Sequence, residues 1–441
     1  MLTILSPTHF KVARALQAVF TSTADLAARQ TRFMQRRSKL SGSAFVQALT
    51  FGWLQNPQAS LEELAQAAGN LGVPISPQGL DQRFGPRAAA MLERVLQEAV
   101  LQVISADPVA VPLLQRFAGV CLLDSTTITL PAAFAKTWPG SGSHHKPAGI
   151  KVQVRLDLLN GTLTGPLLCP GRQHDQAGAL QTVPVPRGAL RLADLGYFSL
   201  ERLRTLDQEG VWWLTRIGLE TRLVDAAGQV WSLANFLSQH QADSVDVSMA
   251  MGLEQRLPCR FLAIRVPAEV AAKRRRDLRQ RGKKRGWKVH PDRFALAAWN
   301  FYATNVPRAQ LTLQEAVVLV RCRWQIELLF KLWKSEGRVD ESRSDKPWRI
   351  LCEVYAKLLG MVVQHWLLLV GCWSHPDRSL VKASRTVRAH AMALALVLEH
   401  GHLVYKILEQ IRRCLAKGCR INHRRRDPPT FQRLRDLPKA G

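Results

Sequence analysis

The sequence predicts an α/β protein: a mixed sheet with helices on its faces, between helical N- and C-terminal regions. Three observations predict it. Residues 118 to 216 carry alternating apolar segments, a hairpin signal and a strand–helix–strand pattern. Residues 217 to 305 remain β-rich, around one dense basic segment. Helical periodicity fills residues 1 to about 110 and returns beyond 305. The chain has 441 residues, enough for roughly two to four domains. Its 47% hydrophobic content suits a globular protein.

Within the N-terminal helices, SLEELAQAAGNLGVPISPQGLDQRF stands out. Ser60 and Glu63 make a capping box ahead of Leu61, Leu64 and Ala65. Gly69 and Gly72 end that helix. Ser76 caps a second one, with Pro77 at its first position. Gln78, Asp81, Gln82 and Arg83 then face outward. The turn is longer than a tight helix-turn-helix allows, so two readings stand: a DNA-reading element, or two packed helices.

GVCLLDSTTITL reads as a short apolar strand ending at Asp124, followed by a Ser/Thr-rich stretch. IKVQVRLDLL alternates, with Val152, Val154, Leu156 and Leu158 on one face. Lys151, Gln153, Arg155 and Asp157 occupy the other, where Asp157 is expected to be paired. Asn160-Gly161 signals a hairpin, and TLTGPLLC returns as the third strand. ALRLADLGYFSLERLRTLDQEGVWWLTRI reads strand, helix, strand, with Asp194 ending the first strand. TRLVDAAGQVWSL, SVDVSMAM, PCRFLAIRVP and FALAAWNFYATNVP follow as strands. The basic KRRRDLRQRGKKRGWK, residues 273 to 288, reads as a charge-dense hairpin or loop suited to phosphate contact. LLGMVVQHWLLLVGCW is broken by Gln364 and His365 and shorter than a membrane span, so it reads as a core helix. The tail from about 375 is basic and helical, then irregular in RINHRRRDPPTF.

The net charge is +27 and the pI about 10.6. Such an excess opposes compaction unless a polyanion is the partner. Nucleic acid is the leading candidate and an anionic membrane the weaker one. The eight cysteines contain no C-x-x-C and no zinc spacing. Most lie in apolar runs, which suits a reducing cytosol. His9, Lys11 and Arg14 interrupt the stretch a signal peptide would need.

RCRWQIELLFKLWKSE places Arg323, Glu327 and Lys334 within about 40° of helix circumference. The rest of the helix is apolar, which predicts burial. A buried Glu needs partners or a metal. The stripe is therefore either a buried ion-pair seam or a metal ligand flanked by two phosphate-binding cations. Asp124 and Asp194, at strand ends, are the other carboxylates placed for chemistry. Three converging carboxylates repel one another unless cations lie between them. With a basic chain, they point to phosphodiester cleavage assisted by divalent metal. Asp157 is the reserve carboxylate, and His144 and His145 sit in a basic loop. No P-loop and no Ser/His/Asp order appears.

The stretch from Val320 to Lys334 resembles a signature of bacterial insertion-sequence transposases of the DDE class, particularly the insertion-sequence-four family. That signature is Tyr, two residues, Arg, three residues, Glu, six residues, Lys. Here the positions hold Val320, Arg323, Glu327 and Lys334, so the Tyr is replaced. LLDSTTITLP resembles the family's first-Asp strand, ADLGYFSLERL its second, and KVQVRLDLLNG the strand between. The resemblance covers roughly residues 40 to 370.

The resemblance implies an RNase H-like core interrupted by a β-rich insertion domain. Asp124, Asp194 and Glu327 would be catalytic and would hold two Mg²⁺, with Mn²⁺ as substitute. Arg323 and Lys334 would hold DNA phosphates near the cut. Lys151, Lys146, Arg83, Gln82, Arg281 and Lys284 are further DNA-contact candidates. In relatives an insertion-domain Trp stacks on a flipped base, and Trp299 lies near the comparable strand, but core packing is the favoured reading of Trp299. The expected division is 1–112, a helical DNA-binding region; 113–216 with 306–372, the catalytic core; 217–305, the insertion domain; and 373–441, a basic helical region. The implied activity is cut-and-paste transposition by a cytoplasmic, nucleoid-associated homodimer acting on terminal inverted repeats and target DNA. The alternatives are an RNase H-like nuclease or resolvase, and an inactive DNA-binding relative.

Overall fold

The structure is a computed structural model, and it describes residues 6–36, 39–142, 146–421 and 428–437. The N-terminal third is helical: α1 (Pro7–Ala18), a π-helical turn (Val19–Thr23), α2 (Ala24–Gln30), α3 (Gly42–Gln55), α4 (Leu61–Asn70), α5 (Pro77–Asp81), α6 (Pro86–Val100) and α7 (Pro112–Gln115). Next come β1 (Val120–Leu130), β2 (Ala148–Asp157), β3 (Leu163–Pro170), β4 (Leu190–Ala193), α8 (Leu200–Gln208) and β5 (Trp212–Arg216). They are followed by β6 (Leu223–Val224), β7 (Val230–Trp231), α9 (Leu233–Ser238), β8 (Ser244–Met251), β9 (Leu257–Arg265), α10 (Ala268–Arg285), α11 (Pro291–Leu296) and β10 (Trp299–Thr304). The chain ends in α12 (Leu313–Cys322), α13 (Trp324–Ser335), α14 (Pro347–Gly371), α15 (Leu380–Leu396), α16 (Gly401–Gly418) and α17 (Thr430–Arg435).

The chain divides into two compact units. One comprises Met1–Gln115, Asp124–Val183 and Trp324–Arg435; the other comprises Arg116–Leu123, Pro184–Arg323 and Asp436–Gly441. Strand β1 contributes its first four residues to the second unit and the rest to the first.

The first unit is organised around α14. That helix is apolar on nearly every side, and Leu351–Gly371 are all buried. Helices α3, α6, α15 and α16 pack on it. It is the one helix among the described residues long and apolar enough to cross a membrane, yet its apolar window is wholly buried in protein. The capping box at Ser60 and Glu63 is present, and Ser76 caps α5. Helix α5 is only five residues long, shorter than the second helix expected there. Among its expected outward residues, Gln78, Gln82 and Arg83 are exposed, while Asp81 is paired to Lys346 and Arg349.

Strands β2 and β3 form the expected hairpin, antiparallel from Ile150↔Pro170 to Leu156↔Leu163. One expectation is corrected here. Strand β1 does not stop at Asp124 but runs eleven residues to Leu130, because the β-branched Thr126, Thr127, Ile128 and Thr129 extend it. Packing reaches the polar face of strand β2 as well: Gln153 is fully buried, and Arg155 is buried, donating to Val183 O and Thr164 Oγ1.

Gly161 closes the hairpin at φ +75°, a conformation that disfavours side chains. An added Cβ there would lie 2.5 Å from Leu369 Cδ2 and from Trp373 Cδ2. Gly161→Ala is expected to destabilise the protein by about 2–3 kcal/mol through overpacking and backbone strain, read as a lowered urea midpoint.

The second unit holds a mostly antiparallel sheet in the order β1-β4-β5-β10-β9-β8-β6-β7. Strand β4 lies parallel to β1 and to β5, as a strand–helix–strand unit requires (Leu122↔Leu192, Leu192↔Leu214). Strand β10 pairs antiparallel with β5 and β9, so the β-rich stretch continues the same sheet. Arg260 anchors it from within, bonded to Asp246 at 2.7 Å and to the carbonyls of Val306 and Leu311.

The basic segment is not a loop. It forms α10, eighteen residues long. Lys, Arg and Gln are straight-chain residues with good helix propensity. Glu269 sits in the first turn, Lys283, Lys284 and Arg285 in the last, and Gly286 at φ +66° terminates the helix. FALAAWNFYATNVP is likewise only half strand: its start belongs to α11, and β10 begins at Trp299.

Candidate active site and DNA-facing residues

Asp124 stands where β1 passes from buried residues to half-exposed ones. Its Oδ1 accepts from the Ser125 N–H at 2.8 Å. Ser125 Oγ donates in turn to Asp175 Oδ1 at 2.8 Å. That same oxygen pairs with Lys151 Nζ at 3.1 Å. Lys151, 12% exposed, also donates to Gln173 O. Its partner is Asp175, not the Asp157 on its own strand, which accepts from the Leu159 N–H.

The signature helix is interrupted. Helix α12 ends at Cys322 and α13 begins at Trp324. Arg323 between them keeps right-handed angles (φ −52°, ψ −30°). Glu327 lies in the first turn of α13 and Lys334 in the last. Ile326, Leu329, Phe330, Leu332 and Trp333 face the core. The expectation of a helix buried all round is corrected: Glu327 and Lys334 are half-buried and Trp324 is 53% exposed. The polar stripe marks the accessible edge. Lys334 Nζ donates to Thr127 O at 3.2 Å, three residues beyond Asp124 on β1. It also lies 3.7 Å from Asp340 Oδ2.

Asp194 follows β4 and precedes a single 3-10 turn, Leu195–Tyr197. Its side chain is 42% exposed, and Arg323 Nε stands 4.0 Å from its Oδ1. Asp124 and Glu327 belong to the first unit, and Asp194 with Arg323 to the second. Among the described residues, no group of three or more His, Cys, Asp or Glu is arranged to hold a metal ion. The donor chemistry nonetheless fits Mg²⁺: all three are carboxylates, hard oxygen ligands, and none is fully buried.

Other candidates fall at varied depths. Gln82, Arg83, Lys146, Arg281 and Lys284 are exposed. His144 and His145 lie outside the described residues. Trp299 is only 6% exposed, with the Arg265 guanidinium 4.4 Å over its ring, so it is a packed residue and not an open stacking platform. Sequence reading missed a cavity of about 290 Å³ beside the end of α10, lined by Arg222, Trp287, Lys288, His290 and Arg293 among others. Trp287 is 43% exposed, and Arg293 lies 5.3 Å from its ring. The only local signal was a Trp closing the basic run.

Asp124 thus lies on β1, Asp194 directly after β4, and Glu327 on α13, with Arg323 and Lys334 near it in sequence. Residues 115–362, more than half of the chain, match the family described as "Transposase DDE domain", and the chain belongs to that family. It is similar to the transposase for insertion sequence element IS231F of Bacillus thuringiensis subsp. israelensis, 27% identical over 90% of this chain and 89% of the relative. The IS231B transposase of Bacillus thuringiensis subsp. berliner is 25% identical over 88% of this chain and 85% of the relative. The IS1151 transposase of Clostridium perfringens is 24% identical over 76% of each. This protein is thus a transposase of the DDE class.

Proposed function

We propose that the protein excises and inserts an insertion sequence by cut-and-paste chemistry, with Asp124, Asp194 and Glu327 as the metal-holding carboxylates. One observation carries the reading: each signature base lies against an element that bears a signature acid within its own unit. Arg323 stands beside Asp194, and Lys334 bonds to the strand that bears Asp124. Asp124, Asp194 and Glu327 would hold two Mg²⁺ ions, which would supply activation of the attacking oxygen and stabilisation of the leaving one. Arg323 and Lys334 grip phosphate oxygens and offset their charge as the ends are cut. Water attacks the scissile phosphate first, releasing a 3′-OH; that hydroxyl then attacks target DNA. No nucleotide cofactor is consumed, because the second step exchanges one phosphodiester for another.

The insertion-sequence-four assignment, the RNase H-like core and the four-part division (1–112; 113–216 with 306–372; 217–305; 373–441) belong to the same proposal. So does action in the cytoplasm, at the nucleoid, by at least a dimer, since two ends must be cut together. The exposed cations of α10, with Gln82, Arg83 and Lys146, contact the DNA backbone. Replacing Arg281 and Lys284 with Gln is expected to lower the slope of log affinity against log salt by about 2, read by titration at several salt concentrations. An unchanged slope removes α10 from the interface.

The test of the function is a strand-joining assay with Mg²⁺ and DNA ending in the element's inverted repeats. Cut ends joined to a target plasmid are expected. Cutting without joining supports a nuclease or resolvase. Binding without cutting supports an inactive relative, a reading that Val320 favours because it lacks the signature hydroxyl.

A further inference from the structure

We propose that Glu353 and Lys357, on the central helix α14, are positioning residues that lock the turn after α13 and so hold the signature Lys334 in place. The inference rests on the proposed role of Lys334 and concerns what keeps it there. Both side chains are nearly fully buried, and they pair at 2.7 Å one helical turn apart. Lys357 Nζ donates to Arg338 O at 2.9 Å and to Glu341 O at 2.8 Å. With Glu353 that accounts for all three ammonium donors. The other oxygen of Glu353 accepts from Ser342 Oγ at 2.6 Å. One buried ion pair thus captures three successive points of residues 338–342.

That turn needs capturing. Arg338 adopts φ +45°, a left-handed conformation unusual for a side-chain-bearing residue, and it persists only where surroundings over-determine it. Gly337 before it has no room for a Cβ, which would lie 2.6 Å from Met361 Sδ and from Trp333 O. Between the captured carbonyls sits Asp340, 3.7 Å from Lys334 Nζ. Lys334 is therefore held from two sides: by Thr127 O on β1 and by Asp340 on the clamped turn. Burial lowers the affinity of the Lys357 ammonium for its proton, and the Glu353 carboxylate opposes that. A buried ion pair is seldom more stabilising than an apolar pair of the same size, so its use here points to fixed geometry rather than added stability.

The test is a double variant, Glu353→Leu with Lys357→Met, assayed in the full chain for melting temperature, DNA affinity and end cleavage. Expected are a melting temperature within about 3 °C, affinity within about threefold, and a cleavage rate at saturating DNA down about 10- to 100-fold. Lys334→Ala, costly in the parent, should then add less than about threefold, because its positioning is already lost. A merely structural pair would leave the Lys334→Ala effect at full size, and that result overturns the proposal; so does cleavage at the parental rate. Should the double variant fail to fold, Asp340→Asn on the surface tests the last link, with the same loss of additivity expected and full additivity overturning it. Glu327→Gln serves as the control: if it still cleaves, the site reading itself falls, whereas a dead Glu327→Gln with an additive clamp removes only the clamp.

Discussion

Glu327→Gln is expected to reduce Mg²⁺-dependent end cleavage by about 10³-fold or more while leaving DNA binding within about twofold. The swap keeps shape and removes one negative charge. Glu327 is half-buried on the accessible edge of α13, so the neutral amide demands no repacking of Ile326, Leu329 or Phe330 beneath it. What is lost is a charged oxygen donor, and a 10³-fold effect corresponds to roughly 4 kcal/mol of transition-state stabilisation. Gel-resolved cleavage at saturating DNA, beside a mobility-shift titration, measures both quantities. Parental cleavage would remove Glu327 from the chemistry; a parallel loss of binding would recast it as part of the DNA grip.

Acid should weaken the fold through His365. Its imidazole is buried in α14, and Nε2 lies 2.6 Å from Gly161 O at the hairpin turn. Burial drives its pKa from 6.5 down to about 4, against the hydrogen bond to Gly161, which favours the charged ring. Below pH 6.5 the unfolded chain therefore takes up a proton that the folded one refuses. Stability conferred by the neutral ring is complete above pH 6.5 and is lost as pH falls toward about 4, by roughly 3 kcal/mol in all. His365→Gln keeps an amide able to donate to Gly161 O but cannot titrate. Urea unfolding at pH 7 and pH 4.5 should show the parent losing about 2–3 kcal/mol more than this variant. His9 and His375 are also shifted downward, mainly by burial, but they are common to both proteins and cancel in the comparison. Equal losses would mean that the ring is charged or solvated in the native state.

Local chemistry made parts of this fold legible. The Ser60–Glu63 capping box, the Asn160-Gly161 hairpin and the β4–α8–β5 unit are each specified by residues a few positions apart. Helix α14 was legible because an all-round apolar sequence has nowhere to go but the interior. The errors share one cause: the deciding partner is distant in sequence. Alternation puts Gln153 and Arg155 on the polar face of β2 but does not show that packing covers it. Helix α10 looks like a loop by charge, yet its side chains favour helix once both termini are anchored. Strand ends, a helix stripe and the family resemblance made candidates of Asp124, Asp194, Arg323, Glu327 and Lys334, but did not reveal what they touch. The Arg323–Asp194 approach spans 129 positions, and the Lys334–Thr127 bond spans 207. The partner of Lys151 was hidden for the same reason, since Asp175 lies 24 residues away.

Helix α10 carries nine Lys and Arg among eighteen residues, against Glu269 and Asp277. Neighbours of like sign three and four positions apart push each other away. Two of the guanidiniums escape that crowding by turning inward: Arg274 donates to Trp299 O and Asn300 Oδ1, and Arg275 to Phe294 O. The helix is thus tied down by the very side chains whose charge strains it.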